Sequence, residues 1–72
     1  MVVPVSYLRL LHLRAWRLRA GLSQEDLAER AKVSRSTIVN AEAGKEVLPS
    51  TLQAIARVLK IKPHELQHPP PA

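Results

Sequence analysis

Gly21-Leu22-Ser23-Gln24-Glu25-Asp26-Leu27-Ala28-Glu29-Arg30-Ala31-Lys32-Val33-Ser34-Arg35-Ser36-Thr37-Ile38-Val39-Asn40-Ala41-Glu42-Ala43-Gly44 is the stretch that decides the fold. Ser23 is a good N-cap for a helix from Gln24 to Ala31, since its hydroxyl can accept from a free backbone N–H of the first turn. Glu25 and Asp26 fall where the helix dipole favours negative charge. Ser23 with Asp26 three residues on has the form of a capping box with a shortened acid. Ser34 then caps a second helix, Arg35 to Ala43, which stops at Gly44. Only Lys32 and Val33 lie between the end of one helix and the cap of the next, so the two must cross steeply. Ala28 is small enough for a close approach, and Val33 and Ile38 supply apolar contacts that hold the angle.

Working outward, only two glycines occur, and both break helical patterns. Pro4, Pro49, Pro63 and Pro69 to Pro71 mark the remaining boundaries. A helix is predicted from Ser6 or Tyr7 to Ala20, ending at Gly21 in the C′ position. At 100° per residue it carries two apolar stripes: Leu10, Leu13, Trp16 and Ala20 on one side, and Tyr7, Leu8, Leu11, Ala15 and Leu18 nearly opposite. One stripe faces the core; the other needs a second partner, either the Val2–Val5 arm or another subunit. Pro49 and Ser50 introduce a helix over Thr51 to Leu59 with Leu52, Ile55, Ala56 and Leu59 on one face. Pro63 opens a last short turn ending near Gln67 with Leu66 inward, and His68 to Ala72 read as an extended polyproline segment. No strand-like alternation is present. The prediction is a single all-α domain, a compact bundle of five short helices: arm 1–6, helical domain 7–67, Pro-rich tail 68–72.

The 72 residues leave room for one small domain. With 46% hydrophobic and 24% charged residues the balance is globular. The absence of cysteine excludes disulfides, thiolate metal sites and cysteine nucleophiles, and points to a cytoplasmic protein. A net charge of +5 on so small a surface suggests a polyanionic partner, nucleic acid or an anionic membrane. No apolar run approaches the roughly 20 residues a membrane span needs.

Two short helices at a tight turn form the helix-turn-helix unit that reads DNA, although such pairs also occur in proteins that never meet it. The residues Leu13-Arg14-Ala15-Trp16-Arg17, Gly21-Leu22-Ser23-Gln24-Glu25-Asp26-Leu27-Ala28, Val33-Ser34-Arg35-Ser36-Thr37-Ile38, Glu42 and Gly44-Lys45 resemble the phage-repressor and Cro type of helix-turn-helix protein. Leu52, Ile55-Ala56 and Leu59 fit that family's fourth helix, so the resemblance runs from about Leu10 to Gln67. It implies a lambda-repressor-like five-helix domain that binds operator DNA as a dimer. It implies backbone contacts from Gln24, which also braces the recognition helix, and from Thr37 and Lys45, with base-facing positions at Ser34, Arg35, Ser36 and Asn40. It also implies a partly buried pair of Arg17 and Glu42 that holds Arg17 beside phosphate. Two departures stand out. Lys32 occupies a turn position where the family often has glycine, and the loop Gly44 to Ser50 differs in length, with Glu46 repelling DNA if it points inward.

The chemistry of these side chains suits the roles. A major groove about 12 Å wide admits one helix, Arg35 can donate two hydrogen bonds to guanine, Asn40 can pair with adenine, and Val39 suits a thymine methyl. Ser34 and Ser36 are ambiguous readers, because a hydroxyl both donates and accepts. The blander alternatives are a plain N-cap for Ser34 and solvated surface positions for Arg35 and Asn40; Arg9, Arg14, Arg19, Arg30 and Arg57 read as solvated faces. His64-Glu65-Leu66-Gln67-His68 fits the H-E-x-x-H zinc-protease pattern, but Pro63 and Pro69 leave it about one helical turn, without a third ligand or cleft. No nucleophile–base set or phosphate loop is present. The expectation is a non-enzyme with no cofactor and no metal: a double-stranded-DNA-binding regulator, a repressor acting as a homodimer on a two-fold operator. The alternatives are an antitoxin that binds a toxin protein and represses its own operon, or an interaction module without DNA binding.

Overall fold

Four α-helices and a closing 3-10 turn follow one another in the computed structural model, which describes residues 8–71: α1 (Leu13–Arg19), α2 (Gln24–Ala31), α3 (Arg35–Glu42), α4 (Pro49–Leu59), then Pro63–Gln67. The arm 1–6, Tyr7 and Ala72 lie outside the described residues. α2 has the predicted bounds because both its ends are written locally. The Ser23 hydroxyl accepts from the Asp26 N–H at 2.9 Å, and Asp26 Oδ2 accepts from the Ser23 N–H at 3.2 Å, which completes the capping box. That N–H, reinforced by the Ser23 side chain and by Arg30, holds the Asp26 carboxyl below its ordinary value of 3.8. α3 ends one residue early, with Ala43 as its C-cap. α4 begins two residues early: Pro49 takes the first helical position, where a missing N–H costs nothing.

The first helix is shorter than the periodicity predicts, and the reason is tertiary. Arg9 forms an antiparallel β-bridge with Glu46, and the Val47 N–H donates to the Leu8 carbonyl at 2.9 Å. The Gln67 side chain donates to the Arg9 carbonyl at 2.7 Å, and the His12 N–H donates to the Leu66 carbonyl at 3.1 Å. These bonds occupy backbone groups that a longer helix would use. The inward stripe still holds for Leu10, Leu13 and Trp16, but Ala20 is exposed. On the opposite stripe Leu11 and Leu18 are 58% and 56% exposed, whereas Leu8 packs against the core.

α2 packs on both α3 and α4, and the small side chains Ala28, Ala31, Ala41 and Ala56 at these crossings are buried. Leu27, Ile38, Leu52, Ile55 and Leu66 fill the space between, essentially without solvent contact. Leu59, predicted on the same face, is only partly buried. The H-E-x-x-H stretch serves this core. The Trp16 indole N–H donates to the carbonyls of Glu65 and His68 at 3.1 and 2.8 Å, and Glu65 Oε2 accepts from the Lys62 N–H at 2.7 Å. His68 has extended backbone, so the two histidines do not share a helical face. Among the described residues no helix is long and apolar enough to cross a membrane.

Two lysines carry the left-handed conformation that glycine favours, Lys32 at φ 60° and Lys60 at φ 59°. Each ends a helix the same way: the next residue's N–H reaches back, Val33 to Ala28 and Ile61 to Ala56, both at 3.0 Å. A non-glycine residue there costs about 1 kcal/mol. Lys60→Gly is therefore expected to stabilise the domain by about 0.5 kcal/mol, after the added freedom of the unfolded chain is deducted. Gly21→Ala, at φ 73°, is expected to destabilise it by about 1 kcal/mol; thermal denaturation reads both. Asp26, with its pKa lowered, contributes stability that is present above pH 3.8 and lost as pH falls through its folded value. The acid limb of a melting-temperature profile should flatten in Asp26→Asn.

Candidate nucleic-acid interface

α3 is anchored from beneath and open above. Ile38 and Ala41 are wholly buried, while Arg35, Ser36, Val39 and Asn40 are exposed. The Ser34 hydroxyl caps the helix by accepting from the Thr37 N–H at 3.2 Å, and it shares hydrogen bonds with the hydroxyls of Ser36 (3.1 Å) and Thr37 (2.8 Å). Three hydroxyls thus stand together at the start of α3, with Ser34 committed chiefly to the cap. Among the described residues Arg35 enters no ion pair and no side-chain hydrogen bond; its five donors face solvent.

Beside Arg35 lies a shallow depression lined by Arg17, Ser23, Gln24, Glu25 and Arg35. The first residues of α2 and α3 both border it, so two helix N-termini with their partial positive charges meet two arginines there. Two of its lining side chains, Arg17 and Gln24, are held by Glu42. Arg17 Nε and Nη2 both donate to its carboxylate, Nη2 to Oε1 at 3.2 Å, and Gln24 Nε2 donates to Oε1 at 3.1 Å. Arg17 Nη1 donates to the Leu22 carbonyl at 2.8 Å. The side chains of Arg17 and Glu42 are only 9% and 8% exposed. One carboxylate therefore joins α1, α2 and α3. The bond from Gln24 to Glu42 has no signal in local sequence.

On the other side of α3 a groove is lined by Thr37, Asn40, Glu46, Val47, Leu48 and Thr51. Lys45 is exposed at the turn after α3, held by its N–H donating to the Asn40 carbonyl at 3.1 Å. Glu46 is paired with Arg9, Nε to Oε2 at 3.7 Å. Sequence placed Arg9 among the solvated arginines; a bridge between two distant segments leaves no mark in either one alone. The structure thus brings Arg17, Gln24 and Arg35 together around one depression, with Glu42 bracing the first two, and sets Thr37 and Asn40 on the opposite flank of α3.

Removing a buried partner exposes what the pair was compensating. Glu42→Ala leaves the Arg17 guanidinium desolvated and unpaired, and is expected to cost about 3–5 kcal/mol. Arg17→Met together with Glu42→Leu removes both charges and is expected to cost far less than the sum of the single substitutions. Chemical denaturation of the singles and the double measures this.

The helix-turn-helix family matches residues 13–66. Among solved structures, the restriction-modification controller protein C.AhdI from Aeromonas hydrophila is 35% identical, with a TM-score of 0.72 over 86% of this chain and 92% of that one. A hypothetical transcription factor, NHTF, from Neisseria has the same fold at 24% identity, with a TM-score of 0.75 over 92% of this chain and 75% of that one. Comparison with curated proteins gives no match. The residues that cap, cross and brace α2 and α3 lie within the matched span, and the chain belongs to the phage-repressor and Cro type of helix-turn-helix DNA-binding proteins.

Proposed function

We propose that this protein is a sequence-specific transcription regulator, a repressor that binds double-stranded DNA as a homodimer on a two-fold operator. The observation that carries this reading is the free Arg35 at the capped start of an α3 whose opposite face is locked into the core. A fixed helix presenting an unpaired guanidinium fits bidentate recognition of guanine, worth about 1–3 kcal/mol of base discrimination. Ser36 faces the base edges beside it and Asn40 faces them from the loop side of α3, and Ser34 reaches a base edge by exchanging a hydroxyl bond to Ser36 or Thr37 for one to DNA. Gln24, Thr37, Lys45 and Arg17 contact the backbone on the two flanks. Likeness to a restriction-modification controller protein supports a regulatory role. A single domain of this size buries little surface on DNA, so two half-sites bound by a pair of chains supply the affinity. No chemistry beyond binding is assigned to these residues: the protein acts without a cofactor and is not an enzyme.

Selection of bound duplexes from a random pool at two salt concentrations tests the reading. The expected product is a two-fold motif with half-sites about one helical turn apart, bound much more weakly at high salt. Arg35→Ala should lose preference at particular base positions while keeping general DNA binding. Failure to enrich any motif at either salt would remove the assignment of α3 as the reading helix.

A further inference from the structure

The groove on the loop flank of α3 contains one feature at odds with a DNA-facing surface: a carboxylate. Glu46 lines it together with Thr37 and Asn40. A bare negative charge there opposes approach to phosphate, and across a distance of several ångströms such a charge matters even in water. The structure supplies its counterpart. Arg9 pairs with Glu46 across the β-bridge, and its backbone is secured on both sides: the Arg9 carbonyl accepts from Gln67 Nε2 at 2.7 Å and from the Leu11 N–H at 3.0 Å, while the adjacent Leu8 carbonyl accepts from the Val47 N–H. Both side chains remain substantially exposed, 50% and 40%, so the ion pair contributes little to stability. A well-anchored backbone carrying an energetically minor surface pair calls for another use.

We infer that Arg9 is a positioning residue for DNA binding: by holding and neutralising the Glu46 carboxylate, it lets the α3–α4 loop approach the phosphate backbone beside α3. Arg9 acts through Glu46 and makes no contact with DNA itself. The inference rests on the DNA-binding reading above. It adds to that reading a residue from the segment before α1, and it assigns the acid in the loop a tolerated place rather than an inward clash.

The test is a double-mutant cycle on the full chain: the unaltered protein, Arg9→Ala, Glu46→Gln and the double variant, each titrated with the selected duplex and with an unrelated duplex at several salt concentrations. Arg9→Ala exposes the carboxylate and should weaken binding to both duplexes about five-fold at low salt, less at high salt. Glu46→Gln alone should bind within about two-fold of the unaltered protein. The double variant, which has the net charge of the unaltered protein, should do so too with the same salt slope, so that the loss in Arg9→Ala requires Glu46. Melting temperatures of all four should agree, which separates the effect from folding. If the double variant stays as weak as Arg9→Ala, Arg9 contacts phosphate directly and the inference is overturned. If Glu46→Gln alone changes preference at one base pair, Glu46 reads a base, and the inference is overturned as well. An unaltered chain that binds neither duplex overturns the DNA-binding reading and the inference with it, whereas additive effects in a chain that does bind overturn the inference alone.

Discussion

The Glu42 carboxylate is the constraint on which the interface depends. It lies in the last turn of α3, accepts from Arg17 on α1 and from Gln24 at the first position of α2, and is almost wholly withdrawn from solvent. Taking two charges out of water costs several kcal/mol each, so such a pair persists only where its hydrogen bonds are well satisfied. Here they are: Arg17 also donates to the Leu22 carbonyl, and no buried side-chain polar atom among the described residues lacks a partner. A greasy contact would tolerate sliding, but a bidentate pair with a third donor fixes register. It sets the angle between α2 and α3 and the depth at which Arg17 and Arg35 meet the same depression.

The core has the complementary task of making that geometry rigid with few residues. Ala28, Ala31, Ala41 and Ala56 let helix axes come close, while Leu27, Ile38, Leu52 and Ile55 occupy what remains. A chain of this size has a thin margin of stability. The left-handed Lys32 and Lys60 show that it also sustains some strain at two helix ends. The backbone bonds from Val33 to Ala28 and from Ile61 to Ala56 offset that strain locally.

What was legible in the sequence was whatever a few neighbouring residues encode. Ser23 and Ser34 announced their helices because capping is a contact three residues long, and Gly21 and Gly44 sit at positive φ where the patterns break. Resemblance suggested the Arg17–Glu42 pair; local chemistry did not. α1 starts later than periodicity predicts: Leu8 to His12 have helical spacing, yet their backbone groups are claimed by Val47, Leu66 and Gln67. The same non-locality keeps the pairing of Arg9 with Glu46 out of the sequence; the bracing role of Gln24 is implied by the resemblance, its partner Glu42 is not. The H-E-x-x-H pattern, set aside in the sequence because prolines bracket it, begins in a 3-10 turn, which spaces side chains differently from the α-helix that pattern needs.

The closing turn has a consequence for how the domain comes into being. Leu66 is fully buried, its carbonyl accepts from the His12 N–H, and the carbonyls of Glu65 and His68 take the Trp16 indole N–H. The first and last parts of the described chain therefore complete each other, while α2, α3 and α4 pack through contacts closer in sequence. Local contacts form quickly, whereas joining distant segments carries the entropy of closing a long loop. During synthesis α3 is made early, but the core beneath it is finished only when the residues around Leu66 arrive. A partly made chain thus carries the α2–α3 brace without the closed core beneath it, and the domain reaches its finished geometry late.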